Sequence, residues 1–212
     1  MRIAAEGLPL ILSALVISVA TFVLGLTWAA VVGAGLTAFL LWFFRDPERN
    51  PPFGTDLVVA PADGRVVSIV KTENAPLLEG PRVRVSIFMS PLDVHVNRMP
   101  IAGVVEEQRY TSGKFLAAYQ DDAAEHNEQN AMRIADPEGR KLGVVQVAGF
   151  LARRIVCKAR TGDTYKKGER FGLIMFGSRT DLYLPADAEI ELAEGQKVKG
   201  GETVIGRFYE RH

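Results

Sequence analysis

Residues 171–185 read FGLIMFGSRTDLYLP, two apolar runs of strand character separated by a glycine, a serine and two charged side chains. The first run ends at Gly177, and the second begins at Leu182. Taken alone, the interruption predicts a β-bulge or a hairpin corner, where glycine relaxes the backbone and serine forms a local hydrogen bond. The runs on either side indicate that this part of the chain belongs to a β-sheet.

Short segments rich in valine and isoleucine recur from residue 57 onward and are separated by glycine, proline and aspartate. In RVRVSIF, residues 82–88, Val83, Val85 and Ile87 alternate with polar side chains, as in a strand with one buried face. Similar segments are LVVA, RVVSIV, GVVQVAGF, RRIVCKA and EIELA. Many short strands without helical crossovers predict a mainly β protein, built as a sandwich or a barrel.

An internal repeat supports this fold class. The segment GDTYKKGERFG, from Gly162 to Gly172, returns as GQKVKGGETVIG, from Gly195 to Gly206. Two copies are too few to stack as a solenoid, so they predict a pseudo-symmetric barrel. These segments and VVAPADGRVVSIV resemble the hairpins of biotinyl and lipoyl domains. We therefore expect residues 45–212 to form a barrel-sandwich β domain.

Residues 1–44 form a separate hydrophobic segment, without one charged side chain between Gly7 and Phe44. We interpret it as a membrane anchor, either a helical hairpin that turns near residues 25–27 or one long tilted helix. A secretory signal and a buried helical pair of a soluble protein are the competing interpretations. The following segment FFRDPERNPPFG marks the domain boundary, because its prolines prevent the helix from continuing.

Charge and cysteine content narrow the possible functions and location. The 25 basic and 25 acidic side chains cancel, so no overall field favours nucleic acid as a partner. The single cysteine, Cys157, rules out an internal disulfide and fits a reducing compartment. Arg2, Arg45 and Arg49 flank the anchor. The positive-inside rule therefore predicts a protein of the inner cell membrane whose β domain lies on the cytoplasmic side.

The segment FMSPLDVHVNRMP holds the first candidates for chemistry. Alternation would place Asp93 and His95 on one side of an extended segment, and a carboxylate beside an imidazole can orient it as a general acid or base. The competing interpretation is a surface histidine on a turn. Asp63, in PADG, is either a turn residue or a buried carboxylate that partners His95. Since only His126 and His212 remain, a zinc peptidase site is disfavoured.

Five separated segments together resemble one family of enzymes. FFRDPERNPP, VVAPADGRVV, FMSPLDVHVNRMP, EHNEQN and GLIMFGSRTDLYLP are similar, in order and spacing, to the phosphatidylserine decarboxylases in their short, membrane-associated bacterial form. The similarity runs from residue 43 to residue 206. It implies a self-cleaving proenzyme, a lyase that removes carbon dioxide from phosphatidylserine to give phosphatidylethanolamine.

The resemblance implies that the chain cuts itself between Gly177 and Ser178, and that fragments 1–177 and 178–212 stay together as a heterodimer. Ser178 then becomes a pyruvoyl group that forms a Schiff base with the substrate amine, so neither a metal nor an external organic cofactor is expected. The expected partners are phosphatidylserine and membrane lipid, but no nucleic acid. Exposed edge strands also favour a homo-oligomer.

Individual roles also follow from the resemblance. Asp63 matches the family's processing aspartate, and His95 matches the histidine that handles substrate and protons. Where longer relatives have a second histidine this chain has Arg98, which cannot act as a base, so either His95 or a water held by Asp63 is expected to be the base for cleavage. Arg98 is expected to bind the substrate's phosphate or carboxylate. Asn127 and Asn130 are expected either to line the pocket or to lie in a solvated loop.

Two further functions stay open on the sequence alone. One is a membrane-tethered, biotinyl-like binding or scaffold module without catalysis, in which the Gly-Ser pair is only a corner. The other is a decarboxylase of a different serine phospholipid.

Overall fold

The computed structural model describes residues 2–113, 127–149 and 154–209. It divides into two compact units, Met1–Glu48 and Arg49–His212. The first unit contains a 3₁₀ turn, Ala5–Gly7, followed by helices α1 (Leu8–Val23) and α2 (Thr27–Phe43). The Ser18 hydroxyl donates a hydrogen bond to the Ala30 carbonyl at 2.8 Å and so links the two helices.

The two helices of the first unit form an antiparallel hairpin. Strand β1 (Arg2–Ile3) pairs with β2 (Arg45–Asp46), so the hairpin begins and ends at the same place. Of the two arrangements that the sequence left open, the structure therefore has the hairpin.

The outer surface of the hairpin is apolar. Val16, Phe22, Val23 and Trp28 are between 65% and 77% exposed. Residues Ala5–Val23 have a mean hydropathy of 2.0 and are, by length and composition, able to cross a membrane, whereas α2 is shorter. Exposed apolar surface of this extent marks a segment that contacts lipid or another apolar partner.

The second unit consists of β-strands. They are β3 (Leu57–Val59), β4 (Gly64–Thr72), β5 (Arg82–Met89), β6 (Val96–Arg98), β7 (Gly103–Thr111), β8 (Gln129–Ala135), β9 (Lys141–Val147), β10 (Ile155–Cys157), β11 (Thr164–Tyr165), β12 (Arg170–Ile174), β13 (Ser178–Pro185), β14 (Glu189–Ile190), β15 (Lys197–Val198) and β16 (Val204–Arg207).

These strands form one large sheet and two small ones, all with antiparallel pairing. The large sheet has the order β11-β7-β8-β9-β13-β5-β4-β15, and the small ones have the orders β10-β12-β6 and β14-β16-β3. Strand β13 is thus an inner strand, paired with β9 on one side and with β5 on the other.

The main core lies on one face of the large sheet. Val85 and Ile87 of β5 and Leu182 and Leu184 of β13 are fully buried there, together with Phe171 of β12. A smaller cluster lies on the opposite face and includes Tyr183. Because strand side chains alternate between faces, the core face of β13 also carries Ser178 and Thr180, and the opposite face carries Arg179 and Asp181.

The repeated segments form two similar turn-strand units. Strands β11 and β15 occupy matching positions, and each is followed by a turn that leads into β12 or β16. The matching glycines of the two turns, Gly168 and Gly201, have φ angles of 75° and 79° and lie against each other. The expectation of a mainly β fold is confirmed, while the finer likeness to a barrel-sandwich stays a prediction.

Where the two apolar runs of residues 171–185 are interrupted, the structure has a turn followed by an unbroken strand. The chain turns at residues 175–177, and β13 then runs without a break from Ser178. The two charges that suggested a corner lie inside the strand, where Arg179 Nε is 2.9 Å from Asp181 Oδ1. Since both side chains are buried and paired, the strand carries them without facing solvent.

Candidate active site

The Gly177–Ser178 peptide bond joins a tight turn to the first residue of β13. The two residues before Ser178 both adopt left-handed backbone conformations, with φ of 56° at Phe176 and 59° at Gly177. For Phe176 this conformation costs about 1–2 kcal/mol, whereas glycine adopts it without a steric penalty. The turn therefore stores strain one residue before the predicted scissile unit.

Ser178 is fully buried on the core face of β13. It lies opposite Met89, the last residue of β5, and its Oγ is 3.4 Å from the Met89 Sδ. The Thr180 hydroxyl, two residues along the same face, is 3.5 Å from the same sulfur atom. Because a thioether is a weak acceptor, the serine hydroxyl forms only a weak hydrogen bond there.

His95 is buried beside the turn that precedes Ser178. Its carbonyl accepts a hydrogen bond from the Ile174 N–H at 3.3 Å, and its Nδ1 lies 3.0 Å from the Asp93 carbonyl. A carbonyl can only accept, so Nδ1 carries a proton and donates it to the Asp93 carbonyl. Because the side chain is buried, the surface-histidine interpretation is wrong.

The Asp93 carboxylate does not contact the imidazole of His95 in the way that alternation suggested. Its Oδ2 accepts hydrogen bonds from the backbone N–H and the hydroxyl of Ser90, at 2.8 Å and 2.7 Å. Asp93 thus closes the turn that follows β5, and its backbone carbonyl contacts the histidine ring.

Asp63 lies just before β4, in the turn that PADG predicts. Its Oδ2 accepts from Arg49 Nη2 at 2.7 Å, and its Oδ1 accepts from the Gly200 N–H at 2.8 Å. Both oxygens of this carboxylate are therefore bonded to groups other than His95. Burial raises the pKa of Asp63 above its ordinary value, although the Arg49 guanidinium and the Gly200 N–H oppose that shift.

The sheet brings Asp63 and Ser178 to the same edge. In the order β4-β5-β13, Arg65 pairs with Phe88, and Met89 pairs with Ser178. Asp63 therefore lies level with the end of β5, two strand spacings or about 10 Å from Ser178. In this arrangement the two oxygens of Asp63 bond to Arg49 and Gly200.

Arg98 is buried on β6, and its Nη1 donates to the Gly168 carbonyl at 3.1 Å. Its side chain lies against Gly201, so it packs at the two repeated turns. Alternation along β6 places His95 and Asn97 on the other side of the strand. Of these residues Asn97, rather than Arg98, faces β13, because its Nδ2 is 3.3 Å from Thr180 Oγ1.

Asn127 and Asn130 are both buried, so the solvated-loop alternative is wrong for them. Asn127 Nδ2 donates to the Ala148 carbonyl at 2.7 Å. Asn130 lies on β8, and its Nδ2 donates to Gln146 Oε1 at 3.2 Å. Most of the polar segment DDAAEHNEQN, including His126, lies outside the described residues, and so does His212.

Comparison with known proteins identifies the family. The sequence profile described as phosphatidylserine decarboxylase matches residues 36–206. A phosphatidylserine decarboxylase proenzyme of Gluconobacter oxydans is 54% identical over 179 residues, which cover 83% of this chain and 80% of the relative. A proenzyme of the same name from Syntrophus aciditrophicus is 44% identical over 207 residues, 97% of each chain. The chain belongs to the phosphatidylserine decarboxylase family.

Several residues around Ser178 of this phosphatidylserine decarboxylase family member were not predicted from the sequence. Its hydroxyl contacts Met89, whose sulfur atom also lies beside Asn97 and Thr180. Gln146 supports Asn97 from β9. The sequence predicts Arg49 only as a charge that flanks the anchor, but its side chain forms an ion pair with Asp63. The sequence gives no signal for Gln146, because its partners come from distant strands.

The described parts of this family member contain no group of three or more histidine, cysteine or acidic side chains arranged to hold a metal ion. Cys157 is half-buried, and burial raises the pKa of its thiol, so it is not an activated nucleophile.

Proposed function

We propose that this chain is a self-processing phosphatidylserine decarboxylase of the inner membrane, and that its reactive group arises from Ser178. The observation that carries the proposal is the placement of the Gly177–Ser178 bond. It joins a strained turn to a buried inner strand in a chain of this family.

In the first proposed step, Ser178 Oγ adds to the Gly177 carbonyl carbon, and the carbon–nitrogen bond then breaks as the carbonyl re-forms. The hydroxyl proton moves to the Ser178 nitrogen, so the amide becomes an ester with no other reactant. The left-handed turn supports this step, because rearrangement relieves the strain at Phe176. A Cβ at Gly177 would meet nothing within 4 Å, so the carbonyl is approached without obstruction from that side.

In the second proposed step, a base removes the Cα proton of residue 178, and the Gly177 carboxylate leaves with the electron pair of the Cβ–O bond. The resulting dehydroalanine takes up water and releases ammonia, which leaves a pyruvoyl group at the new terminus. Burial of residue 178 supports the assignment, since it protects a reactive carbonyl from bulk solvent. Once formed, the pyruvoyl carbonyl would supply a sink for the electrons left when carbon dioxide departs.

We propose His95 as the base, with the Asp93 carbonyl as the group that fixes its tautomer. The support is the 3.0 Å contact at Nδ1, which leaves the basic lone pair on Nε2. Asp63 is proposed to act on processing from a distance, through a water molecule or through its effect on the local charge. Its separation of about two strand spacings from Ser178 supports that indirect role.

Arg98 is proposed to attract the phosphate or carboxylate of the substrate, because a guanidinium suits bidentate contact with either group. Arg98→Ala should then raise the KM for phosphatidylserine and leave cleavage at Ser178 unchanged. Cleavage that fails in this variant would show instead that Arg98 acts in processing. Asn127 and Asn130 are proposed to support the substrate pocket beside Ser178 from β8 and the residues before it.

The proposed fragments 1–177 and 178–212 should stay together after cleavage. Strand β13 is paired on both sides, and β15 and β16 pair with β4 and β3 of the other fragment. The described part of the small fragment also buries Leu182, Leu184, Val198, Ile205 and Phe208. Each of these side chains contributes about 1.5–3 kcal/mol when fully buried.

The apolar hairpin is proposed to anchor the enzyme in the inner membrane, with the β domain in the cytoplasm. The support is the exposed apolar surface of α1 and the basic residues Arg2 and Arg45 that flank the hairpin. A lipid with two acyl chains leaves the bilayer slowly, so an anchored enzyme meets its substrate at the interface.

The deciding experiment is the intact mass of the purified full chain, with Ser178→Ala as the control. The proposal predicts two species that correspond to residues 1–177 and 178–212, the second with a terminus that lacks an amine. The control should remain one species. A wild-type chain that stays whole, as a scaffold module would, overturns the proposal.

A second experiment tests the substrate. Cleaved protein in mixed micelles should release carbon dioxide from phosphatidylserine, and borohydride treatment in the presence of the lipid should abolish that release. Cleaved protein that acts only on a different serine phospholipid would support the alternative decarboxylase.

A further inference from the structure

A line of four side-chain amides runs through the second unit and ends beside Ser178. Gln108 Nε2 donates to Asn130 Oδ1 at 3.0 Å, and Asn130 Nδ2 donates to Gln146 Oε1 at 3.2 Å. Gln146 Nε2 then donates to Asn97 Oδ1 at 2.8 Å, and Asn97 Nδ2 donates to Thr180 Oγ1 at 3.3 Å. The last three amides are buried, so water cannot replace these partners.

The direction of this line is set at Gln146. Its Nε2 lies between two oxygen atoms, Asn97 Oδ1 at 2.8 Å and the Val156 carbonyl at 3.5 Å. If the Gln146 amide were turned over, its oxygen would face the Val156 carbonyl, and two acceptors would be left together in a buried place. Val156 therefore fixes Gln146, and Gln146 in turn fixes which end of Asn97 faces β13.

A glycine allows this arrangement. Gly172 of β12 pairs with Asn97, and a Cβ at Gly172 would lie 2.2 Å from the Val156 carbonyl oxygen and 3.2 Å from Gln146 Nε2. A larger residue would push these groups apart, so the close approach of β10, β12 and Gln146 depends on the missing side chain.

As a result Asn97 presents its N–H groups toward the surroundings of Ser178. Asn97 Nδ2 lies 3.3 Å from Thr180 Oγ1 and 3.9 Å from Met89 Sδ. This sulfur atom is the one that the Ser178 hydroxyl contacts. Sulfur is a weak acceptor. An N–H group held beside sulfur forms a stronger hydrogen bond when a negatively charged oxygen develops nearby.

We propose that Asn97 stabilises the negative charge that develops on oxygen at the Gly177–Ser178 bond, and that Gln146 is the positioning residue that keeps its N–H turned toward it. The proposal rests on the self-cleavage described above. As Ser178 Oγ adds to the Gly177 carbonyl carbon, the electron pair of the carbonyl bond moves onto its oxygen. Asn97 then exchanges its weak contact with Met89 for a hydrogen bond to that oxygen.

The first test replaces Asn97 and follows cleavage of freshly made full chain. Protein is synthesised in a short cell-free pulse with detergent micelles, and the fraction cut is measured over time. Asn97→Leu removes the donor and should slow cleavage about 100-fold, as loss of one such donor does in other acyl-transfer sites. The control is Gln129→Leu. Gln129 is the amide residue before Asn130 on β8, and its side chain lies on the opposite face of that strand from Asn130, so this variant should cleave at the wild-type rate.

The second test reverses the amide line without changing its shape. In Gln146→Glu an ionised carboxylate accepts from Asn97 Nδ2 and turns its N–H groups away from Ser178, whereas a protonated carboxyl can still donate to Asn97 Oδ1. Buried glutamates titrate as high as about pH 8–9, so the ratio of variant to wild-type rate should fall steadily between about pH 5 and pH 9. A pH jump on one folded preparation separates this effect from misfolding.

The outcomes separate this inference from the proposed function. If the wild-type chain is never cut, the proposed function fails. If the wild type is cut and folded Asn97→Leu is cut equally fast, only the role of Asn97 is refuted. If Asn97→Leu is slow but the Gln146→Glu ratio is constant with pH, Gln146 merely fills space and is not a positioning residue.

Discussion

Replacement of Arg49 should destabilise the β domain because it leaves a buried carboxylate without its cation. Arg49 and Asp63 side chains are only 9% and 14% exposed, and they form a hydrogen-bonded ion pair at 2.7 Å. Arg49 Nη1 also contacts Glu202 at 3.1 Å. In Arg49→Met the ionised Asp63 keeps only the Gly200 N–H. Breaking a buried pair in this way costs about 3–5 kcal/mol.

The loss should depend on pH in a defined direction. Burial already raises the pKa of Asp63 above 3.8, and removal of Arg49 raises it further. A carboxyl whose pKa is raised on folding contributes stability that is fully present below its unfolded value and is lost as the pH rises through its folded value. The deficit of the variant should therefore be small below 3.8 and reach its full size near neutral pH.

Urea unfolding of the full chain in micelles measures this deficit, in a Ser178→Ala background that prevents cleavage. With an m-value of about 2 kcal/mol/M, the expected loss moves the midpoint by about 2 M at neutral pH. The double replacement Arg49→Met with Asp63→Asn should recover most of it, because no charge is then buried. A deficit under about 1 kcal/mol, or one equal at all pH values, would refute the reasoning.

Three further outcomes are expected. Gly177→Ala should cleave about fivefold more slowly, because an alanine disfavours the left-handed turn at φ 59° by about 1 kcal/mol and so populates the reactive conformation less, although its Cβ has room; a time course on gels checks this, and an unchanged rate counts against a role for the turn. Leu182→Ala should destabilise the cleaved heterodimer by about 2–5 kcal/mol in urea unfolding, and a loss like that of an exposed leucine would contradict its place in the core. Burial raises the pKa of Tyr183 to about 12, so ultraviolet titration should show one tyrosine that ionises only near there and disappears in Tyr183→Phe. A titration that is the same with and without Tyr183 would contradict that burial.

The local segments were predictable where side-chain patterns act over a few residues. The alternation in residues 82–88 predicted β5 nearly to the residue, and the uncharged run from Gly7 to Phe44 predicted helix but left open whether it forms one helix or two. Strands β6, β7 and β8 were not predicted. In β7, for example, residues 106–109 are all polar, so this strand has no alternating pattern of its own. Its pairing with β8 makes it a strand.

The candidate site divides in the same way. The sequence by itself predicted the Gly177–Ser178 unit, His95 and Asp63 as site residues, because each lies in a short segment that resembles the family. Only the tertiary structure decided that Arg49 holds Asp63 and that Gln146 orients Asn97. These contacts join residues from separate strands and turns. Their energy depends on burial and on the exact atoms that face each other, which no local pattern of residues encodes.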